Sequence, residues 1–384
     1  MSNPEVKYGT DQKELSYSVK ATYSTIYGKR LRYCAILDNL SDGTRYFYTI
    51  PESDKLYSFK TLSKDSSTFR FAVIGDSRTG IATHRQLINL MKQYDFSFYF
   101  NTGDLVEHNR LEEWDFEFFH IEEPLLSSRF FNPVEGNHDT GDEGITLSKL
   151  FYFPDPVTPS GSYYSFWVKN NIFIVVSTEE PFTPGSFQYK WLESQLKEAE
   201  ERHAYHKFMF FHRPPYSSGV HGGTEDRGMK LAREYLAPLA ITYGVTIVFN
   251  GHEHCYERSY KDGVYFITTG GGGAPPAFLT FPSNPYSQFY EPNGDLEHFH
   301  FLLIEVGETY VDLKAITINN EVMDHLLIGE KFEFGPPHIP RNCRVTRRWW
   351  GFGCTEGEGG SIGEILFLSL LIGIYSLMYR KSKA

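Results

Sequence analysis

From Phe69 onward the chain is divided by short, nearly continuous apolar runs. They read FRFAVIG (69–75), FSFYFN (96–101), FFNPVE (130–135), YYSFWV (163–168), IFIVVS (172–177), KFMFF (207–211), VTIVFN (245–250) and VYFITT (264–269), followed by HFHFLLIEV (298–306) and YVDLKAIT (310–317). Runs of this length, rich in β-branched and aromatic residues, predict buried strands. Between them the apolar period changes. THRQLINLMKQY puts Leu87, Leu90, Met91 and Tyr94 at helical spacing, and FQYKWLESQLKEAEER (187–202) and GMKLAREYLAPLAITYG (228–244) are helical as well. LEEWDFEFFHIEEP (111–124) is acid-rich, and Trp114, Phe118 and Ile121 make it an amphipathic helix with a solvated face. Strand and helix in alternation, then further strands, predict an α/β core whose sheets are covered by helices.

Residues 1–66 follow another rule. Apolar and polar positions alternate, with turn signals at DNLSDGTRY and PESDK, so a run of short antiparallel strands is expected. Residues 331–361, rich in Pro, Gly and Arg, read as a linker. The run IGEILFLSLLIGIYSLMY (362–379), followed by RKSKA, has roughly the minimum length for a membrane span, and its basic end predicts a body on the far side of the membrane from the cytoplasm.

Composition narrows the function. With 41% hydrophobic residues and 16% aromatic ones the chain builds a large rigid core. A formal net charge of −11 excludes a non-specific nucleic-acid binder, which needs a basic face. Four cysteines do not make a disulfide scaffold. Cys34 and Cys255 are expected as thiols. Cys343 and Cys354 are either bridged or separate, as the redox compartment dictates.

Five loops that follow apolar strands carry metal-type ligands: GDSRTG (75–80), GDLVEHN (103–109), GNHD (136–139), FFHRPPY (210–216) and GHEH (251–254). Ligand sites in α/β sheets lie beyond the carboxyl ends of strands, so the five can converge. In the last loop, imidazoles two residues apart must turn to meet at one place, and Gly251 is expected to permit that turn.

In this order the loops resemble the calcineurin-like metallophosphoesterases, most closely the purple acid phosphatase branch, over about residues 69–329. YSSGVHG (216–222) and GGGGAPP (270–276) belong to the same pattern. The resemblance implies a four-layer α/β sandwich, two mixed β-sheets flanked by helices, for residues 67–330. A partial all-β, fibronectin type III-like segment (1–66) precedes it and a C-terminal apolar helix (362–379) follows it. YCAILDNLSDGTRYFYTI resembles the closing strands of such a segment, which suggests a longer reading frame with an export signal upstream.

The resemblance also implies two metal ions (Fe, Zn or Mn). Asp76 and His254 would hold the first, Asn137, His212 and His252 the second, and Asp104 would bridge them. His138 and His221 would stand beside the phosphate as catalytic groups. Two positions depart from the branch: Glu107 occupies the place of a metal-binding tyrosine and is either a carboxylate ligand or, as favoured, a residue that faces solvent. Arg78 stands where glycine or a ligand histidine is usual and is expected to face phosphate. His84, a second candidate for that vacancy, reads as a surface residue at a helix start.

The implied reaction is hydrolysis of phosphate esters, most simply monoesters, by a metal-activated hydroxide, with His138 or His221 protonating the leaving oxygen. A phosphodiesterase or nucleotidase is the alternative; Tyr216 and Phe278 could stack a base, although core packing is the commoner fate of aromatics. A non-enzymatic surface-binding module is the third reading. Expected partners are a small phosphate ester, the membrane through 362–379, and a protease that processes a C-terminal sorting tag, because the Gly-Gly-Ser, helix and basic end resemble bacterial tags of that kind. The expected location is the cell surface or periplasm; if Met1 is the true start, a cytosolic tail-anchored protein is the alternative.

Overall fold

A computed structural model describes residues 4–331 except 29, 52, 142, 154–156, 223–225, 277–283 and 292–298. Residues 332–384, with the expected linker, Cys343, Cys354 and the apolar run 362–379, lie outside the described residues, as does Phe278.

Two large mixed sheets form the core. The six-stranded sheet runs Val322–Gly329, Tyr310–Thr317, His300–Val306, Phe69–Ile74, Phe98–Asn101, Phe130–Pro133. Its last three strands are parallel to one another. The seven-stranded sheet runs Tyr164–Val168, Asn171–Val175, His206–Phe210, Ile247–Asn250, Val264–Thr269, Tyr256–Lys261, Ser287–Glu291, with a parallel block from Asn171–Val175 through Val264–Thr269.

Side-chain alternation explains the layering. In Phe69–Ile74, Phe69, Phe71 and Val73 face the other sheet. Ala72 and Ile74 face Leu87, Met91, Trp114 and Phe118 of the covering helices. In Asn171–Val175, Phe173 and Val175 join the same inter-sheet core. Ile172 and Ile174 pack instead with Leu192, Leu196 and Leu236. Helix, sheet, sheet, helix follows from these three hydrophobic clusters.

Phenylalanines bind the two sheets together. Phe100 stacks on Phe210 with ring centroids 3.8 Å apart, and Phe71 meets Phe173 edge-on at 5.3 Å and Phe208 at 5.4 Å. Such pairs add about 0.5–1.5 kcal/mol each beyond area burial. The long helix Phe187–Glu201 starts where the Ser186 hydroxyl caps the Tyr189 N–H at 3.2 Å.

The N-terminal strands are present as expected. Tyr17–Lys20, Glu5–Gly9, Arg45–Thr49 and Tyr57–Lys60 make an antiparallel sheet, and Thr22–Tyr27 pairs with Arg30–Cys34. The sheet docks on the main body through Tyr48, whose hydroxyl donates to the Ser127 carbonyl at 2.8 Å. Cys34 and Cys255 are free thiols.

Two expectations are corrected, and one alternative is decided. The acid-rich segment 111–126 is helical, with a π-helical stretch over Trp114–Phe119, but its acidic face is not wholly solvated. Glu113, Glu117 and Glu122 are buried because each carboxylate accepts hydrogen bonds from the body beneath it. His84 is wholly buried rather than on the surface, since its Nε2 meets Glu122 Oε1 at 2.8 Å. Tyr216 packs edge-on against Phe266 and Tyr286 in the outer core, so it is not free to stack a base.

Phe71→Ala is expected to cost about 3–5 kcal/mol of stability. Phe187→Ala, at a position 68% exposed, should stay within about 0.5 kcal/mol. Urea unfolding of the two variants checks the contrast.

Candidate metal centre

Both parallel blocks end on the same edge, and the five ligand loops leave from there. The loops after Ile74 and Asn101 are alike: Gly75-Asp76 and Gly103-Asp104, each aspartate in the left-handed region at φ 55°. Asp76 N–H donates to the Gly103 carbonyl at 3.0 Å, which ties one loop to the other. The sheets are joined across the site by His212, whose Nδ1–H donates to the Thr102 carbonyl at 2.9 Å. His252 adds a second link, its backbone N–H donating to both Asp76 oxygens at 3.0 Å.

The turn in GHEH is made by His252 itself, at φ 69°, and not by Gly251. The glycine is needed for space: a Cβ there would lie 2.5 Å from Asp76 Oδ2 and 2.9 Å from Thr102 Oγ1. Left-handed backbone costs about 1–2 kcal/mol for a residue with a side chain, and Asp76, Asp104 and His252 all carry it. Strain of this kind persists only where the surroundings over-determine it.

All six expected ligands come together. His254 Nε2 lies 3.6 Å from Asp76 Oδ1, and its Nδ1–H donates to the Pro275 carbonyl at 2.6 Å. His212 Nε2 lies 3.2 Å from both Asp104 Oδ1 and Asn137 Oδ1, and His252 Nδ1 lies 3.0 Å from Asn137 Oδ1. Ligand atoms of Asp76, Asp104 and His212 sit within 4.8 Å of one another, all buried.

The two carbonyls fix the protons of His212 and His254 on Nδ1 and leave Nε2 lone pairs facing carboxylate oxygens. Acceptor therefore meets acceptor, and a cation satisfies the arrangement. Without one, a proton must do it. Burial alone would lower the His212 pKa, but Asp104 and Asp76 raise it to about 10. Burial raises Asp76, with Asp104 adding to the effect. Asp104, although buried, is held well below the usual carboxylate range by His212. The residues thus fit a metal centre: hard oxygens and imidazole nitrogens are the donors that such a centre takes.

The glycine-rich loop packs against the first ligand loop, with Gly272 N–H donating to the Gly75 carbonyl at 2.7 Å and Ala274 N–H to the Asp76 carbonyl at 2.8 Å. His138 donates its Nδ1–H to the Glu107 carbonyl at 2.7 Å, and its Nε2 lies 3.9 Å from Asp104 Oδ2. The His221 ring lies over His252, centroids 4.5 Å apart.

Glu107 does not simply face solvent: it forms an ion pair with Arg78, whose Nε is 3.4 Å from Asp104 Oδ2. Sequence reasoning also missed Asp139. Its carboxylate accepts from the N–H groups of Gly136, Asp104 and Leu105, each at 2.9 Å, and so locks two ligand loops together. Its place in GNHD was visible, but its backbone partners were not. Asp226 was missed as well. It lies 3.6 Å from His252 Nε2 and pairs with Arg213 at 2.7 Å, while Arg213 reaches Glu179 at 2.8 Å.

A buried cluster of carboxylate, amide and imidazole donors at the ends of two parallel strand blocks has the chemistry of a metal-binding site. Comparison with known proteins shows what the chain resembles. Residues 69–256 match the calcineurin-like phosphoesterase family. The probable purple acid phosphatase 20 of Arabidopsis thaliana is 28% identical over 335 residues, 81% of this chain and 76% of the relative. The phosphoenolpyruvate phosphatase of Allium cepa is 29% identical over 292 residues, 69% of this chain and 60% of the relative. The purple acid phosphatase from yellow lupin (Lupinus luteus) seeds shares the fold, with a TM-score of 0.71 at 21% identity over 85% of this chain and 69% of the lupin chain. The match to the calcineurin-like phosphoesterase family thus covers the segment that carries all five ligand loops, and purple acid phosphatases are among the relatives of the chain.

Removing metal with a chelator is expected to make stability fall as pH rises. His212 has a folded pKa raised above its unfolded value near 6.5. Its stabilising contribution is complete below about 6.5 and is lost as pH rises toward 10. Asp76, also raised, works in the same direction at lower pH. Thermal melts of stripped and metal-loaded protein between pH 6 and 9 should diverge with rising pH; parallel curves would refute the proton-for-metal exchange.

Proposed function

We propose that the protein is a binuclear metal-dependent phosphomonoesterase. The observation that carries this is the ring of acceptors around Asp104, with His212 and Asn137 on one side and Asp76 and His254 on the other. In this reading Asp76 and His254 hold one ion, Asn137, His212 and His252 hold the second, and Asp104 lies between them. When bound, the ions neutralise the phosphate oxygens and lower the pKa of a water nucleophile.

The remaining chemistry belongs to side chains around the ligands. His221 and His138 keep 45% and 28% of their side chains exposed, so both face the space a substrate enters. His138 gives its Nδ1–H to a carbonyl, and in the doubly protonated imidazolium form its Nε2–H is the proton passed to the departing oxygen, leaving a neutral imidazole. Arg78 pairs with Glu107 through one nitrogen, and in this reading its remaining N–H groups meet a phosphate oxygen.

Tyr216, one of the two aromatics named for stacking a base, is committed to the core, which removes one support for a nucleotide substrate. The names of the relatives, phosphatases acting on esters such as phosphoenolpyruvate, support a monoester substrate. The proposal also includes export and membrane attachment through residues 362–379. That part rests on the sequence of the run; among the described residues no helix is long and apolar enough to cross a membrane.

Asp104→Ala and His252→Ala are each expected to lower kcat/KM for 4-nitrophenyl phosphate by more than about 100-fold, above the usual cost of losing a ligand's supporting partner. Elemental analysis should find metal lost in parallel. Wild-type protein is expected to turn over that monoester at least about tenfold faster than bis(4-nitrophenyl) phosphate, a difference of about 1.4 kcal/mol in barrier. The reverse preference would favour a phosphodiesterase, and metal binding without turnover of either would favour a binding module.

A further inference from the structure

Glu253 stands between the ligand histidines His252 and His254 and is wholly buried. Its Oε2 has no hydrogen-bond partner among the described residues. Its Oε1 accepts the backbone N–H of His221 at 2.7 Å and lies 3.5 Å from His221 Nδ1. Gly219, two residues before His221, approaches so closely that a Cβ there would run into Glu253 Oε2. An apolar side chain would fill this space without the cost of burying a carboxylate, so the carboxylate is explained by what Oε1 holds.

A second grip lies four residues further on. Buried Glu257 accepts from Ser218 N–H at 2.7 Å and Ser218 Oγ–H at 2.8 Å, and Asn284 steadies it at 3.2 Å. One segment, leaving the metal site, thus holds the loop 217–222 at both ends. Between the grips the loop carries His221 to its place over His252.

We propose that Glu253 is a positioning residue for ester hydrolysis, acting through His221, with Glu257 anchoring the start of the same loop. The assignment rests on the phosphatase reading. Glu253 touches neither the reacting phosphate nor a metal in this account; it sets where His221 stands when the substrate enters.

A double-mutant cycle on the full metal-loaded chain with 4-nitrophenyl phosphate tests it. Glu253→Ala is expected to lower kcat/KM about tenfold when His221 is present, because misplaced groups lose rate steeply. In a His221→Ala background the same change should cost less than about twofold, since the group it positions is gone. Glu253→Gln, whose amide oxygen still accepts the His221 N–H, should recover most of the loss. Equal losses in both backgrounds overturn the assignment, as does loss of metal from Glu253→Ala by elemental analysis. If Glu253→Ala does not fold, Gly219→Ala presses on the carboxylate from the other side, and the same cycle applies to it. A wild-type chain that hydrolyses no phosphate ester sinks the phosphatase reading and this assignment together; equal losses in an active enzyme sink the positioning role alone.

Discussion

The meeting of two parallel strand blocks along one edge is the constraint on which the rest depends. Neither sheet alone carries a complete ligand set: Asp76, Asp104 and Asn137 leave from the six-stranded sheet, His212, His252 and His254 from the seven-stranded one. The inter-sheet phenylalanines set the spacing of the sheets, and two polar links close it at the site, His212 to the Thr102 carbonyl and His252 N–H to Asp76. A shift of one sheet along the other would break both links and separate the donors. Rigid aromatic packing below the site is therefore part of the chemistry above it.

That arrangement is costly to keep without an ion. Three ligand residues hold left-handed backbone, and buried acceptors face one another at 3.2 Å. Asp139 offsets part of the cost by gathering the N–H groups of Gly136, Asp104 and Leu105 on one carboxylate. The rest is offset when a cation binds, since binding to the folded state alone stabilises it. Folding and metal occupancy are thus coupled through the same few side chains.

Much of this was legible in the sequence where one physical rule dominated. Strands buried on both faces announce themselves as apolar runs, and each ligand loop follows such a run. Tyr256–Lys261 was missed because its buried positions include Glu257 and Ser259, which hide the apolar pattern. Val322–Gly329, an edge strand with exposed Val322 and Leu327, carries a weak signal for the opposite reason. Within the site, ligand types could be read off, but the direction of each side chain could not. Glu107 reads as a surface carboxylate until Arg78 is seen beside it. His84 reads as a helix-start residue until Glu122, distant in sequence, is found buried against it. Contacts between segments far apart in the chain decide these cases, and no local pattern encodes them.

Charge places one further demand on the proposed reaction. The chain is acidic, at −11, and the carboxylates Asp76, Asp104, Glu107, Glu179 and Asp226 gather around the site, with Arg78 and Arg213 partly neutralised by them. Such a field repels a phosphate dianion. In this reading the cations are needed before any substrate can bind, not only for the bond-breaking step. An acidic protein can then act on an anionic ester, because the ions reverse the sign of the field at the one place where the ester must dock. Apparent substrate affinity and metal occupancy become two views of one equilibrium, with Asp104 at its centre.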